Sequence, residues 1–519
     1  MVKSTLALGL TLAACAGAPP RPQAPLIPGG DLVADFTLLR HAYEELHPGL
    51  YSYNTPAQLE SSFAELRSRV EGGATLPAAY LALSQYLATI RCGHTYANFF
   101  NQPESIAGPL FRAGATRLSF LFEWLDGRMI VTRDRGAGLA PGTEVLSVDG
   151  VPSQKILEAM LTVARADGHN DYKRVDQLSL HGDTDLEAFD VFFPLLFPQR
   201  SEGRFELRTR ERALAVSALT YQQRKATVPS HRGDTGPLWT LESAQGTAWL
   251  RMPTWALFNS TWDWRAFLAD TFQSLQTGGT HTLVIDLRHN EGGLSVGDVL
   301  LSHLVTQDLR PGQVARRVRY RKVPADLEKV LDTWDPSFKD WGNSAVDFDG
   351  TTYRLTRYDD DERGDLIRAA APRFSGRVFV VVDASNSSAT FEFAQTVQRE
   401  HLGTLVGEPT GGNQRGINGG AFFFVRLPRT GLEADLPLIA QSTPVEWPDA
   451  GLLPDIPVAI TAADIAAGRD PVKAALSLRI DGSCLTSTLG SLAAPKSGRR
   501  SEPDDEGCGV PRTSQNQTR

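Results

Sequence analysis

The chain has 519 residues, a net charge of −8 and a pI near 5.8. With 41% hydrophobic and 22% charged residues it has the make-up of a folded protein, too long for one ordinary core. The acidic balance and the lack of any basic run longer than "GRR" exclude a phosphate-tracking surface, so no nucleic-acid partner is expected.

Residues 1–15 begin with the charged "MVK", continue through the apolar "STLALGLTL" and end in "LAAC", the order of a secretory signal. The ending resembles a bacterial lipobox. That resemblance implies lipidation of Cys15 and a place in the cell envelope, periplasmic or at the cell surface, with the membrane a partner only through the anchor. A plain signal peptide with a chance cysteine is the alternative. No later run reaches the ~20 apolar residues that span a bilayer. Residues 16–30, "AGAPPRPQAPLIPGG", read as an extended Pro/Gly-rich tether. Cys484 and Cys508 bracket a polar stretch and could pair in an oxidising compartment, and Cys92 is left beside a histidine.

Residues 31–104 read as a helical N-terminal domain. "DLVADFTLLRHAYEELHPGLY" repeats apolar residues at three and four, with Asp31 as its expected N-cap. Two further stretches open on Thr-Pro or Thr-x-Pro and close on glycine. Residues 105–230 turn to short β runs with a long insert at 162–200. Within them "LAPGTEVLSVDGVPSQKILEAML" resembles the loop, strand, Asp-Gly turn and helix of a PDZ domain.

From 236 to 480 strands and helices alternate, which predicts an α/β layer architecture. Residues 310–372 read as a charged insertion with little periodicity. Its "DDDERGD" is a solvated acidic loop whose spacing does not match an EF-hand, so no metal is expected. "AFFFVRLP" (421–428) reads as a strand buried on both faces, or as the lining of an apolar pocket. Residues 481–519 have the polar composition of a disordered tail.

The apolar run "VFVVVD" hands over to "NSSATFEFA" (386–394), putting two serines at a strand-to-helix junction. Unpaired N–H groups and the helix dipole make that junction a good place for an oxyanion. By itself the stretch fits equally a serine that caps a helix. Three glycine-rich or loop stretches accompany it: "VIDLRHNEGG" (284–293), "GEPTGGNQRGINGG" (407–420) and "VEWPDAGLLPDIPV" (445–458).

In this order the four stretches resemble the segments of the tail-specific or C-terminal processing peptidases, the S41 serine peptidases. The resemblance covers roughly residues 240–475. It implies an α/β multidomain chain: a crotonase-like catalytic domain (a spiral of ββα units), a PDZ-like β-rich domain and a helical N-terminal domain. It also implies a serine nucleophile at Ser388 and an oxyanion hole from Ala389 with Gly292 or Gly293. The processing branch uses a lysine base, but that position is Asn413 here, and no lysine occurs between Lys339 and Lys473. Asn413 is left to orient substrate or a loop.

The tricorn-like branch uses serine, histidine and glutamate, and "RCGHTYANF" places His94 while "VEWPDAG" places Glu446. An imidazole can take the serine proton and return it to the leaving group, while a carboxylate fixes its tautomer. His289, inside the glycine turn, is the competing base. The expected activity is peptide-bond hydrolysis through an acyl-enzyme on a peptide or protein substrate, without a cofactor. The alternatives are an esterase-like hydrolase and an inactive scaffold holding a hydrophobic ligand or peptide, as the related interphotoreceptor retinoid-binding proteins do. "HPGLY" (47–51) has no assigned role.

Overall fold

The computed structural model describes residues 25–198, 203–228, 237–310, 315–359, 366–442 and 446–480. Cys15, Cys484 and Cys508 lie outside them. Residues up to Ala475 form one compact unit, and a second begins at Leu476. Among the described residues no helix is long and apolar enough to cross a membrane.

The N-terminal region is helical as expected, over Gly29–Leu46, Pro56–Val70 and Leu76–Thr89. Thr55 and Thr75 cap the second and third helices, each accepting from the N–H three residues on. The first helix begins two residues before Asp31. That carboxylate pairs with Arg429 and caps nothing. The end of the expected tether is ordered too: Leu26–Ile27 pairs with Ala74–Thr75.

Three larger sheets follow. The strands Phe120–Leu125, Arg128–Asp134, Glu144–Val148, Arg204–Thr209 and Ala213–Ser217 form an antiparallel sheet, with Val151–Pro152 paired to the third. A second antiparallel sheet is built on the hairpin Ile417–Arg426 and Glu433–Ser442. The segment 310–372 supplies its other strands, of two to four residues each. Runs that short leave too few alternations to be seen in sequence. In the strand Ile417–Arg426, Ala421, Phe423 and Val425 are fully buried while Phe422 and Phe424 point to the other face. The expectation of burial on both faces is therefore corrected.

The sheet that positions the site has the order Thr240–Ala244, Thr247–Arg251, Thr282–Asp286, Arg377–Val382, Thr404–Gly407, Ile456–Pro457. All neighbours after the first pair are parallel. Its central strands are buried throughout apart from Arg377 at the start of one, as a sheet covered on both faces requires. This sheet and its helices have their own apolar core. The other core joins the N-terminal helices to both antiparallel sheets. In open parallel sheets ligands gather outside the carboxyl ends of the strands. Here those ends run into 287–293, 383–388 and 408–416, the very stretches singled out by sequence.

Buried amides lace these loops together. Asn386 Nδ2 donates to the carbonyls of Leu287 (2.6 Å) and Asn290 (3.0 Å), and its Oδ1 accepts from Asp383 N–H. Asn290 Nδ2 reaches Met252 O at 2.7 Å. Thr390 Oγ1 donates to Asn290 O at 2.9 Å. We predict that Asn386→Ala, which strands these partners without contact to solvent, lowers unfolding free energy by about 3 kcal/mol in urea titration. A loss under about 0.5 kcal/mol, the scale of an ordinary surface substitution, would show that the loops do not rely on this amide.

Candidate active site

Ser388 is the first residue of the helix Ser388–Arg399, which follows directly on the turn after Arg377–Val382. Its φ is 52°, a left-handed conformation that costs a non-glycine residue about 1–2 kcal/mol. The helix has no side-chain cap: Ser387, at the capping position, donates its Oγ to Glu291 O instead. Capping thus does not account for this pair of serines. Ala389 N–H lies in the first turn, where no helical carbonyl is available to it.

The glycine turn packs against this point. Gly292 has φ 100°, and a Cβ there would lie 3.0 Å from both Ala389 N and Ser388 Cβ. Only glycine leaves the space in front of the Ala389 N–H open. Gly292 N–H is already donated to Asn290 Oδ1 at 3.0 Å. Gly293, φ 140°, lies so close to Trp255 that a Cβ would fall 2.2 Å from its carbonyl oxygen. Ser388 and Ala389 open on a cleft of about 230 Å³ that is also bordered by Asp167, Gly412, Asn413 and Gln441.

His94 sits on a loop fixed from several directions. Gly93 N–H donates to Asp167 Oδ1 (2.9 Å) and Arg165 Nε to Gly93 O (2.8 Å). His47 Nε2 meets Thr95 Oγ1 at 2.9 Å, which gives "HPGLY" its role as a brace for this loop. The His94 ring packs on Phe422 at 5.6 Å between centroids, and its buried Nδ1 has no hydrogen-bond partner among the described residues. Burial, and then the Arg165 cation, lower its pKa to about 4, so the imidazole is neutral at physiological pH. Beyond Phe422 the exposed Trp334 extends the same apolar face and also touches Phe424.

Glu446 is exposed, and no hydrogen bond joins it to His94 among the described residues. Asn413 is buried and orients loops: its Nδ2 donates to Asp167 O (3.0 Å) and to Asp449 Oδ1 (2.7 Å). Asp449 in turn meets His169 Nδ1 at 2.6 Å. The ring of His289 packs on His181 at 4.8 Å, and the main-chain N–H of His289 donates to Asp383 Oδ2 at 2.8 Å. Cys92 is buried, which raises its thiol to about 12 and leaves it unreactive.

Sequence reasoning missed Asp167, Arg165, Asp449 and Lys173. Lys173 brings a lysine to the site after all, but its Nζ is bound to Glu291 Oε1 at 2.5 Å. All but Asp449 come from residues 162–200 or their border, where nothing local announced a distant partner.

Residues 246–424 match the model of peptidase family S41. The chain carries an S41 peptidase domain. The match supports a serine-type peptidase, a hydrolase. Its mixed α/β, multi-sheet fold is similar to that of mature CPAF complexed with lactacystin. The TM-score is 0.59 and the identity 16%, over 88% of this chain and 98% of that one. A second structure of mature CPAF gives a TM-score of 0.55 at 16% identity, over 88% and 97%. At such identity the likeness speaks for the fold alone. None of the curated proteins compared is significantly similar to the chain.

The burial of His94 sets a prediction. In histidine-labelled protein, the imidazole resonance that is missing from His94→Gln should remain in the neutral form at pH 5.5. An ordinary imidazole, with a pKa near ~6.5, is mostly protonated there. A midpoint at the ordinary value would contradict the burial described.

Proposed function

We propose that the protein hydrolyses peptide bonds through an acyl-enzyme formed on Ser388. His94 takes the serine proton and returns it to the leaving amine, and Glu446 is the carboxylate that orients His94. The N–H groups of Ala389 and Gly293 hold the oxyanion, since that of Gly292 is committed to Asn290. The observation that carries this reading is Ser388 itself: an uncapped, left-handed serine at a helix start, with a glycine turn keeping the space before the Ala389 N–H clear. Such a turn presents a hydroxyl outward, and the helix start stabilises developing negative charge.

His94 fits a base because it is neutral at pH 7 and rigidly held. Its unpartnered Nδ1 is suited to receive a carboxylate, and without one the imidazolium formed during transfer would be poorly stabilised. Asn413 acts as an orienting residue. The apolar face of Phe422, Phe424 and Trp334 beside His94 favours substrates with an apolar side chain near the scissile bond, and it is equally what an inactive carrier of hydrophobic ligands would need.

We further read the parallel sheet with its helices as the crotonase-like part. The six-stranded antiparallel sheet that begins at Phe120–Leu125, with the helix Ser153–Met160, is read as the PDZ-like part, suited to take a peptide by strand addition. We also propose a place in the cell envelope with an anchor at Cys15, on the "LAAC" ending of residues 1–15.

Turnover of a quenched-fluorescent peptide library by the full chain tests the reading. Ser388→Ala and His94→Ala should each lower kcat/KM by ~10³-fold or more, and Glu446→Gln by a smaller factor. Gly292→Ala should cost at least ~10²-fold, the scale of a lost oxyanion donor. Undiminished turnover in Ser388→Ala would overturn the assignment. A folded wild type that turns over nothing would favour the carrier instead.

A further inference from the structure

We propose that Lys173 is a positioning residue for this hydrolysis, tying the oxyanion turn to the nucleophile loop. The inference rests on the reading of Ser388 as nucleophile. Lys173 lies on the short helix Asp171–Asp176, within the insert that departs from a standard PDZ-like element. Its buried ammonium donates to Glu291 Oε1 (2.5 Å) and to Ser385 O (3.0 Å). Glu291 is the residue before Gly292, and Ser385 lies three residues before Ser388.

The same helix is fastened to its surroundings at two more points. Asn170, which caps it, donates from Nδ2 to Thr410 O (2.9 Å) and Gly412 O (2.6 Å). Asp176 Oδ2 accepts from Ser385 Oγ at 2.9 Å. Gly411 has no room for a side chain: a Cβ there would fall 2.1 Å from Ala384 O and 2.8 Å from Lys173 Cδ. One turn of helix therefore touches all three loops at the carboxyl ends of the parallel strands.

A buried ammonium is tolerated only when paired and hydrogen-bonded, so the contacts to Glu291 and Ser385 are obligatory for it. Because Gly292 rests against Ser388 and Ala389, a shift of Glu291 changes the space in which the oxyanion forms. Substrate binding in the cleft need not change. Loss of the tie should thus appear in kcat before KM.

Charge supplies a second readout. The groups acting on His94 are Arg165 and Lys173, which lower its pKa, and Glu291 and the Asn418 main chain, which raise it. Removing the lysine charge should move the acid limb of kcat/KM up. Removing the Glu291 charge should move it down. A purely structural role would leave that limb where it is.

The test uses full-length Lys173→Met, Lys173→Arg and Glu291→Gln, each checked for a wild-type-like melting curve. A fluorophosphonate marks Ser388 as the control for the underlying reading. Expected for Lys173→Met are a kcat reduced ~10- to 100-fold, a KM within about twofold and an acid limb shifted up. Lys173→Arg should restore the acid limb and part of kcat. Should Lys173→Met not fold, the downward shift in Glu291→Gln and the rescue pattern of Lys173→Arg still decide. Wild type that labels at Ser388, with kcat and acid limb unmoved in the folded variants, would overturn the positioning role. Absence of label in wild type would instead remove the nucleophile reading.

Discussion

The site depends on one constraint: three loops leaving parallel strands must satisfy their buried backbone groups together, without water. Asn386, Asn290 and Thr390 meet that demand for two of the loops, and Asn170 serves the third. Once those bonds are made, the chain between Asp383 and the helix has little freedom left. Ser388 is forced into a left-handed conformation that it would not choose alone. The strain is offset by the buried network and the apolar core beneath the sheet. A rigid junction of this kind is what preorganised catalysis requires, since donors that are already in place need no reorganisation during the reaction.

The second core explains how a histidine so far away in sequence comes to lie against the hairpin that follows the glycine loop. Among the described residues, 31–104 have no separate core of their own. Their helices share a core with the hairpin Ile417–Arg426 and Glu433–Ser442. Tyr43 donates to Asp435 O and Asn98 Nδ2 to Asp435 Oδ2, so the loop carrying His94 is stitched to that hairpin. The hairpin in turn follows directly on the glycine loop that ends at Gly416. Histidine and serine thus belong to different cores but meet one continuous piece of chain, 407–442. The insert helix Asp171–Asp176 closes the remaining side.

Much of this was legible in sequence. The runs Thr282–Asp286 and Arg377–Val382 are continuous apolar stretches ending in turn residues, and such runs read as buried parallel strands. The Thr-x-Pro helix starts were equally plain, because capping is a local property. The short strands of 315–355 were not readable, since two to four residues carry no period. Phe422 and Phe424 were placed wrongly because a run of aromatics hides its own alternation. Lys173 could not be found at all. Its partner Glu291 is 118 residues away, and no local pattern encodes a contact at that range. The role of "HPGLY" was hidden for the same reason: His47 acts on Thr95 through the fold.

The measurement that bears most directly on this account is the site of covalent capture. The full chain is treated with a fluorophosphonate, and the adduct is located by peptide mapping across "NSSATFEFA", where two serines stand side by side. The structure predicts one adduct per chain, on Ser388 and not on Ser387, because only Ser388 has the strained backbone beside the Ala389 N–H. An adduct on Ser387, or a folded chain that takes no label, would contradict it.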